Sequence, residues 1–427
     1  MHHSQNWIPL FRNTWTPLFV SFSHRSVLIA GATWVLVVAV TLTVQAQTPV
    51  ADPVGQPRSF RPDEIRLAWL SLFDGESLYG WQNASTADWS VAEGCLTAKL
   101  GESPGLLATT TQFDCYQLRV DFWASSKTNS GIFLRTSPKP KSPSQDCIEL
   151  NIAPRSMSPF PTGSLVDRKS IEDEITTEKW HRFDIQVLPN RIVVQLDGQG
   201  ILDEKIQGPT GRGFIGLQYN QGEVRFCNVF LKPLVLRPLF NGQDLSGWRT
   251  NPQMDTRATV TDDGSMQLAG GRGQIESMGT FGDFVLQLEC KTLVPGTNSG
   301  VFFRCIPTEQ MNGYEAQIQN EVVNGDPRQP ADCGTGGIFR RADARRVHAQ
   351  DQEWFNMTLI AVGPHISTWV NGLQVTDWHD DRAPDLNPRR GFRSQPGTLM
   401  LQGHDPESLV QFRNINATEL GRRQRSP

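Results

Sequence analysis

The chain has 427 residues, with 40 basic and 44 acidic side chains and a formal net charge of -4. This length allows two or three domains, each large enough for its own core. The near balance of charge gives no electrostatic reason to expect a nucleic-acid partner. The 37 glycines, 28 prolines and 12 tryptophans, without long helical periodicity, favour an all-β protein rich in turns.

The N-terminal 46 residues read as a targeting segment. Residues 26–44 are apolar without a single charge, and Val44-Gln45-Ala46 supplies small residues in the pattern that a signal peptidase cleaves. Residues 1–46 are therefore predicted to be an export signal. An uncleaved membrane anchor is the alternative, because a span needs roughly 20 apolar residues. Either interpretation places the folded part outside the cytoplasm, and residues 47–66, rich in proline, are expected to form a flexible linker.

The remainder is a tandem duplication. Residues 128–135 (TNSGIFLR) recur at 297–304 as TNSGVFFR, and residues 72–75 with Gly80-Trp81 recur at 239–242 with Gly247-Trp248. The repeat has the size of a domain and is too long for a solenoid unit. We place the first repeat at residues 67–235, the second at 236–421 and a basic tail at 422–427.

Both repeats consist of short segments that alternate polar and apolar residues, as half-buried strands do. Asp197-Gly198 and Asn371-Gly372 lie between such segments and are dipeptides that two-residue hairpin turns prefer. The stretches 307–313, 320–335 and 377–396 are predicted loops, where binding sites on a β scaffold usually lie. The seven cysteines include no Cys-x-x-Cys pair, and we interpret most of them as small buried apolar residues.

Several motifs of the second repeat resemble the 3-keto-disaccharide hydrolase family. They are residues 239–248 (LFNGQDLSGW), 282–289, 298–304 (NSGVFFR), 313–315 (GYE), 369–372 (WVNG), 401–405 (LQGHD) and 412–415. The resemblance covers nearly all of the second repeat and, more weakly, the first. It implies two concanavalin-A-like jelly-roll sandwiches in an exported protein. It also implies that the protein acts on 3-keto-glucosides by 1,2-elimination and hydration.

That chemistry needs a base to remove the hydrogen on C2, an oxyanion stabiliser and an acid for the leaving group. His404 is the first choice for the base, because histidine titrates near neutral pH. Glu315 is the second choice for the base, or else the acid or a cation ligand, and Arg304 is the candidate enolate stabiliser. Strand alternation and the resemblance together suggest further residues for sugar binding, namely Asn298, Phe302, Gln317, Gln319, Gln402 and Asp405. No loop has a decisive metal-ligand spacing, which leaves a divalent cation open.

Each of these residues also has a purely structural interpretation. His404 precedes Asp405-Pro406 and would then be a solvated turn residue, Glu315 would pair with Arg304 across strands, and Phe302 would belong to the core. A non-catalytic lectin with the same fold is the main alternative function. A conventional glycosidase is disfavoured because no second acid clearly partners Glu315, although Glu289 and Asp405 remain open.

The first repeat departs from the pattern at the site. It retains Arg135 and Glu149 but has Asn220 where the second repeat has His404. Catalysis is therefore assigned to the second repeat, and the first repeat would bind sugar, shape the neighbouring site or only stabilise the pair.

Overall fold

The computed structural model describes residues 53–99, 105–141, 146–422 and 424. The expected export signal or membrane anchor, residues 1–46, lies outside these ranges. Within them the one α-helix, α1, spans Pro62–Arg66, and a 3-10 turn spans Val323–Gly325. No helix of this part of the chain has the length and apolar character that crossing a membrane requires.

All remaining regular structure is β. The strands of the first domain are β1 (Leu70–Ser71), β2 (Trp81–Asn83), β3 (Asp88–Ala92), β4 (Cys95–Lys99), β5 (Gly105–Thr109), β6 (Tyr116–Ala124), β7 (Asn129–Thr136), β8 (Ile148–Ile152), β9 (Trp180–Leu188), β10 (Arg191–Leu196), β11 (Gln199–Lys205), β12 (Phe214–Gln221) and β13 (Val224–Pro233). Those of the second domain are β14 (Arg237–Pro238), β15 (Trp248–Thr250), β16 (Arg257–Val260), β17 (Met266–Ala269), β18 (Gly273–Phe281), β19 (Phe284–Thr292), β20 (Ser299–Cys305), β21 (Tyr314–Ile318), β22 (Phe355–Val362), β23 (His365–Val370), β24 (Leu373–His379), β25 (Gly397–Gly403) and β26 (Val410–Glu419).

The two domains repeat one topology. In the first, a sheet ordered β11-β10-β9-β6-β13-β4-β3, with β1 also on β13, packs on a second sheet ordered β2-β5-β12-β7-β8. In the second domain the first sheet, given from the same edge, is ordered β24-β23-β22-β19-β26-β17-β16, with β14 also on β26. The second sheet is ordered β15-β18-β25-β20-β21. All pairings between these strands are antiparallel. The expected pair of antiparallel jelly-roll sandwiches is thus confirmed.

Alternation along the strands directs one set of side chains into the cores and the other set to the outer faces of the sheets. On β20, Val301 and Phe303 enter the main core of the second domain, whereas Phe302 points to the opposite face of the sheet. The Asn371-Gly372 turn joins β23 to β24 with φ of 46° and 80°, the two positive values that such a hairpin requires. Residues 377–379, expected in a loop, instead complete β24.

Residues 53–66 do not behave as the flexible linker expected from their prolines. Gly55 N donates to Asp121 Oδ2 at 2.9 Å, and Arg58 N donates to Asn228 Oδ1 at 3.2 Å. The Asn228 amide returns a bond to the carbonyl of Gln56 at 2.8 Å. These bonds satisfy the backbone of the segment and fasten it to β6 and β13 of the first domain.

The two domains share an interface with both apolar and polar contacts. Trp369 of β23 packs with the core residues of the first domain, and its indole N–H donates to Ser71 O at 3.1 Å. Arg345 pairs with Asp74 at 2.7 Å, and Ser71 N donates to Gly372 O at 2.8 Å. The short connection between the repeats is therefore accompanied by close packing.

One disulfide forms among the described cysteines, between Cys95 on β4 and Cys227 on β13. The remaining five are free, and four of these are buried. Burial of most cysteines agrees with the sequence interpretation, but this pairing was not foreseen. The two partners are 132 residues apart in the chain, and only the strand order brings them together.

Candidate active site

A cleft of about 470 Å³ opens on the outer face of the β15-β18-β25-β20-β21 sheet. Phe302 on β20 lies opposite Glu315 on β21 and Met400 on β25. Gln402 on β25 lies opposite Gln274 on β18. Because directly opposed residues of an antiparallel pair point to the same face, these side chains project together. The structure thus brings Phe302, Glu315 and Gln402 to one cleft, with His404 at its edge.

Glu315 supplies a carboxyl group whose protonation is unusual. Burial raises its pKa to about 8, and the charge of Asp332 adds to this, while the Arg389 and Arg340 guanidiniums oppose it. Its side chain lies over Gly300, where a Cβ would come within 2.5 Å of Glu315 Oε1. A largely protonated carboxyl at neutral pH is suited to donate a proton.

His404 follows the last residue of β25 and is partly exposed, with 44% of its side chain accessible. Its Nδ1 lies 2.8 Å from Asp405 Oδ2. The hydrogen bond to His404 lowers the pKa of Asp405, so this oxygen acts as an acceptor for Nδ1–H. The imidazole Nε2 is thereby left as the basic nitrogen.

Asp405 also stabilises the turn that follows it. Its Oδ1 accepts the backbone N–H groups of Glu407 and Ser408 at 3.0 Å and 2.8 Å. The turn interpretation of this segment is correct for Asp405, and the same carboxylate also orients the ring of His404. Asp405 does not line the cleft itself, so its expected contact with sugar is replaced by a positioning role.

Arg304 is not in the cleft, which corrects its assignment as the enolate stabiliser. It is fully buried and adopts a positive φ of 48°, within a register shift of β20 against β25 between Phe302 and Cys305. This bulge breaks the strict alternation that placed Arg304 on the face of Phe302. The guanidinium instead donates to Gly282 O at 2.9 Å, to Gly363 O at 2.6 Å and to Asp283 Oδ1 at 3.0 Å.

The same contacts exclude the cross-strand ion pair considered for Glu315. Arg304 is committed to backbone carbonyls and to Asp283, and Arg135 occupies the equivalent place in the first domain, with a φ of 52° and bonds to Leu188 O and Pro189 O. The arginine shared by the two repeats thus ties turns at one end of each sandwich.

The amides divide into two groups. Gln317 donates to Asn298 Oδ1 at 3.2 Å, and Gln402 donates to the Met311 sulfur at 3.2 Å. The Oε1 atoms of Gln317 and Gln402 are buried and have no hydrogen-bond partner among the described residues. Of the two side chains, Gln402 lines the cleft and Gln317 does not. Gln319 lies beyond the end of β21, and its Oε1 accepts the Glu321 N–H at 3.0 Å.

Phe302 forms a small apolar cluster with Cys305, Met311 and Met400 beneath the cleft. The side chain is nearly covered, at 3% exposure, although it still lines the cavity floor. It is therefore chiefly a packing residue, and the expected stacking against a sugar ring has little free surface.

Sequence reasoning missed two features of this face. Glu276 lies opposite Met400 on β18 and is held by Arg249 at 3.0 Å and by the Thr398 hydroxyl at 2.7 Å. The other feature is a set of arginines that line the cleft, namely Arg272, Arg340, Arg341 and Arg389. The adjacent pairs Arg340-Arg341 and Arg389-Arg390 were the sequence signal for the second feature.

The residues present do not fit a divalent cation. Over the described ranges no three His, Cys, Asp or Glu side chains cluster as metal ligands. Glu276, the second carboxylate of the face, is already neutralised by Arg249.

The equivalent face of the first domain has lost most of its polar groups. Leu106 and Ala108 stand where Gln274 and Glu276 stand in the second domain, and they cluster with Phe133. Glu149 is retained, and burial, with a contribution from Asp167, raises its pKa to about 7. The first domain thus keeps one carboxyl group on an apolar face and has Asn220 at the position equivalent to His404.

Comparisons with known proteins agree with the duplication. The family model of the 3-keto-alpha-glucoside-1,2-lyase-like domain matches residues 68–232 and 236–418, so each sandwich is one copy. Among solved structures, the chain is similar to a "Putative glycosyl hydrolase" from Parabacteroides distasonis, with 27% identity and a TM-score of 0.35 over 44% of this chain and 100% of that chain.

Two further solved structures have lower identity. The carbohydrate binding module CBM66 from Bacillus subtilis is 12% identical, with a TM-score of 0.29 over 36% of this chain and 95% of that chain. A protein of unknown function with a galectin-like fold, also from Bacillus subtilis, is 15% identical, with a TM-score of 0.34 over 44% and 96%. No curated protein matches the chain significantly. The assignment of the fold therefore rests on the strand order of this chain.

Proposed function

The chain belongs to the 3-keto-alpha-glucoside-1,2-lyase-like domain family, and we propose that its second domain cleaves 3-keto-glycosides by 1,2-elimination followed by hydration. The observation that carries the proposal is the single cleft lined by both Glu315 and His404. One is a carboxyl group with a pKa of about 8, and the other is an imidazole whose Nδ1 is engaged by Asp405. The carboxyl group keeps a proton to donate near neutral pH, and the imidazole presents Nε2 as a proton acceptor.

Elimination begins at C2 of the 3-keto sugar. His404 Nε2 removes the C2 proton, which the neighbouring ketone acidifies, and the electron pair moves to form the C2–C3 enolate. As the enolate collapses, the C1–O bond breaks, and the Glu315 carboxyl gives its proton to the departing oxygen. The products are a free alcohol and an unsaturated 3-keto sugar, while His404 holds one proton and Glu315 has lost one.

Hydration returns both groups to their starting states. The Glu315 carboxylate takes a proton from a water molecule while the oxygen of that water adds to C1. The protonated His404 returns its proton to C2. The sum of the two stages is hydrolysis of the glycosidic bond. Unlike an ordinary glycosidase, this route needs no second carboxylate beside Glu315.

Charge on the enolate oxygen needs a donor other than Arg304. Arg389 and Arg340 line the same cleft, and both act electrostatically on Glu315. A guanidinium supplies fixed N–H donors and a permanent positive charge, which suits a developing oxyanion. We assign the stabilisation of the enolate to a guanidinium of this cleft.

The assignment of the base is tested with His404→Ala. The variant is expected to lose on the order of 100- to 10000-fold in kcat on a 3-keto-glucoside, the usual contribution of general base catalysis. Asn220→Ala, at the equivalent position of the first domain, is the matched control and is expected to keep full activity. Turnover that survives in His404→Ala would refute the role of this residue.

A lectin-like function without catalysis is the other outcome of that experiment. If neither the natural protein nor either variant releases an alcohol from the keto substrate, while sugar binding persists by calorimetry, the second domain is a binding module. The unpaired acceptor of Gln402, which lines the cleft, would serve such a module equally well.

We also propose that the protein is exported. The Cys95–Cys227 disulfide supports this, because disulfides form and persist in oxidising compartments. The mature protein is expected to begin after Ala46. Mass spectrometry of the N-terminus would show this cleavage, and an intact residue 1 in a membrane fraction would establish the anchor instead.

A further inference from the structure

Four arginines line the cleft, and none of them forms an ion pair with a carboxylate of the described residues. Arg272, Arg340, Arg341 and Arg389 all line it, and all four are exposed. In the part of the chain that the structure describes, none of them lies within 4.0 Å of a carboxylate. Unpaired guanidiniums that share one cavity produce a positive field, which low-dielectric walls strengthen.

Several other arginines of the second domain pair with carboxylates, whereas the cleft gathers four that do not. Arg345 bonds Asp74 at 2.7 Å, Arg382 bonds Asp380 at 2.7 Å, and Arg249 bonds Glu276 at 3.0 Å. The positive charge of the cleft is therefore a local property, and it is not explained by the net charge of the chain, which is -4.

The backbone of Arg340 adopts a conformation that is unfavourable for arginine. Its φ is 58°, a left-handed conformation that glycine, asparagine and aspartate adopt more easily than arginine does. The first domain has Asp167 at the equivalent point of the same bridged turn, with the same φ of 58°. The second domain thus carries the opposite charge at this position, in a conformation that favours the aspartate. Strain held at a cavity wall points to a ligand contact.

Arg389 reaches the cleft on a segment that the first domain lacks. Residues 380–396 connect β24 to β25, whereas residues 206–213 make the equivalent connection in the first domain. The longer segment is firmly held, because Tyr314 Oη donates to Asp380 Oδ2 at 2.7 Å and Arg393 N donates to Tyr314 Oη at 2.8 Å. The Arg389 guanidinium is thus delivered by an anchored loop.

One enolate oxygen needs at most one or two of these four groups. We propose that the cleft recognises an acidic glycoside, one whose non-reacting part carries a carboxylate or a sulfate ester held by Arg340 and Arg389. The guanidinium fork matches both oxyanions with paired hydrogen bonds. The inference takes the reaction from the proposed function and adds the charge of the substrate.

Equilibrium binding tests this without any turnover. The mature protein is titrated calorimetrically with three unoxidised probes, namely cellobiose, its uronic acid analogue and its 6-sulfate. At low salt an acidic probe is expected to bind on the order of tenfold tighter than cellobiose, the gain that one charge-assisted contact provides. The advantage is expected to shrink in high salt because exposed charges are screened. The acidic probe that binds more tightly identifies the group as carboxylate or sulfate.

Two double variants test whether the cleft arginines cause the preference for acidic probes. Arg340→Met with Arg389→Met is expected to abolish the preference for the acidic probes. Arg237→Met with Arg328→Met removes the same charge from exposed positions outside the cleft and is expected to keep it. Equal affinity for acidic and neutral probes, or no heat from the acidic probes at millimolar concentration, would overturn the inference. Preference for acid in a protein that fails to cleave keto-glycosides would instead refute only the proposed reaction.

Discussion

At the scale of single residues, the two domains place the same carboxyl group in the same surroundings. Glu315 lies over Gly300 and Glu149 over Gly131, and burial is the largest cause of the raised pKa in both. The pKa values are about 8 and about 7, against 4.5 for an ordinary glutamate. A folded state that holds a proton more tightly than the unfolded chain loses stability when that proton must leave.

This linkage predicts a pH dependence with a definite sign. For Glu315 the stabilisation is complete below about pH 4.5 and is lost as the pH rises towards its pKa of about 8. Each tenfold difference in proton affinity between the folded and unfolded states corresponds to roughly 1.4 kcal/mol. Glu315→Gln removes the titration, so the variant is expected to match the natural protein at pH 5 and to exceed it at pH 9. Urea unfolding at both pH values measures this.

Glu149→Gln serves as the companion variant. It is expected to show the same sign over the narrower range that ends at about pH 7. Parallel pH profiles of the natural protein and both variants would mean that neither carboxyl group is buried as described.

Arg304 leads to a prediction about stability. Arg304→Met removes a charge that bonds Asp283 and two backbone carbonyls in a fully buried setting. We expect a loss of about 3–5 kcal/mol in the free energy of unfolding. Arg135→Met is expected to cost a similar amount in the first domain, which has no proposed catalytic role. Normal stability of Arg304→Met together with loss of turnover would restore Arg304 to the active site.

The difference between Glu315 and Arg304 shows what the sequence can and cannot reveal about residues. The alternation of β21 places Glu315 correctly because that strand is regular over its five residues. The same argument fails for Arg304, because one positive φ near the end of β20 reverses the face of the side chain. Nothing in the eight-residue repeat motif distinguishes a bulge from continued alternation.

At the scale of elements, a glycine in β20 leaves space for the Glu315 carboxyl group of the neighbouring strand β21. Gly300 lies opposite Gln317 in the register, and its missing side chain leaves space for Glu315 on β21. The glycine of the repeated Asn-Ser-Gly motif is thus required by the close approach of the neighbouring carboxyl group.

Gly300→Ala tests that requirement. A Cβ would lie 2.5 Å from Glu315 Oε1 and must displace the carboxyl group. Since misplacement by about 1 Å can cost on the order of 100-fold, kcat/KM on a 3-keto-glucoside is expected to fall by roughly that factor. Gly131→Ala makes the matched change against Glu149, at 3.0 Å, and is expected to leave turnover unchanged. Equal effects of the two substitutions would contradict the assignment of catalysis to the second domain.

Most strands of the fold were predictable, because alternation over five to ten residues is a strong signal. β2, which has three residues, and β11, which has little apolar content, carry no such signal. The arginine cleft could not be predicted from periodicity, because Arg340 and Arg389 come from irregular segments that only the folded sheet brings to one cavity.

At the scale of the whole molecule, a duplicated sandwich has kept its architecture while its two faces diverged. The first domain packs its core against Trp369 of the second, fastens residues 53–66 and carries the disulfide. Its sheet face is apolar where the second is polar. The two domains therefore differ at this sheet face, and the sequence shows the same divergence in the presence of Asn220 at the position equivalent to His404.

The disulfide is expected to contribute to the stability of this unit. Cys95 and Cys227 are separated by 132 residues, so the bridge restricts a long loop of the unfolded chain. Replacing both by alanine is expected to cost about 2–5 kcal/mol, measured by urea unfolding. A reducing agent should destabilise the natural protein by a similar amount and leave the double variant unaffected. If the reducing agent has no effect on the natural protein, the bridge does not form in solution.

The central claim is that the second domain cleaves only sugars oxidised at C3. The most direct measurement incubates the mature protein with a 3-keto-glucoside and with the matching unoxidised glucoside, and follows release of the alcohol. The account predicts release from the keto form alone, because only there is the C2 proton acidic enough for His404 to remove. Release from the unoxidised glucoside at a comparable rate, or from neither substrate, would contradict it.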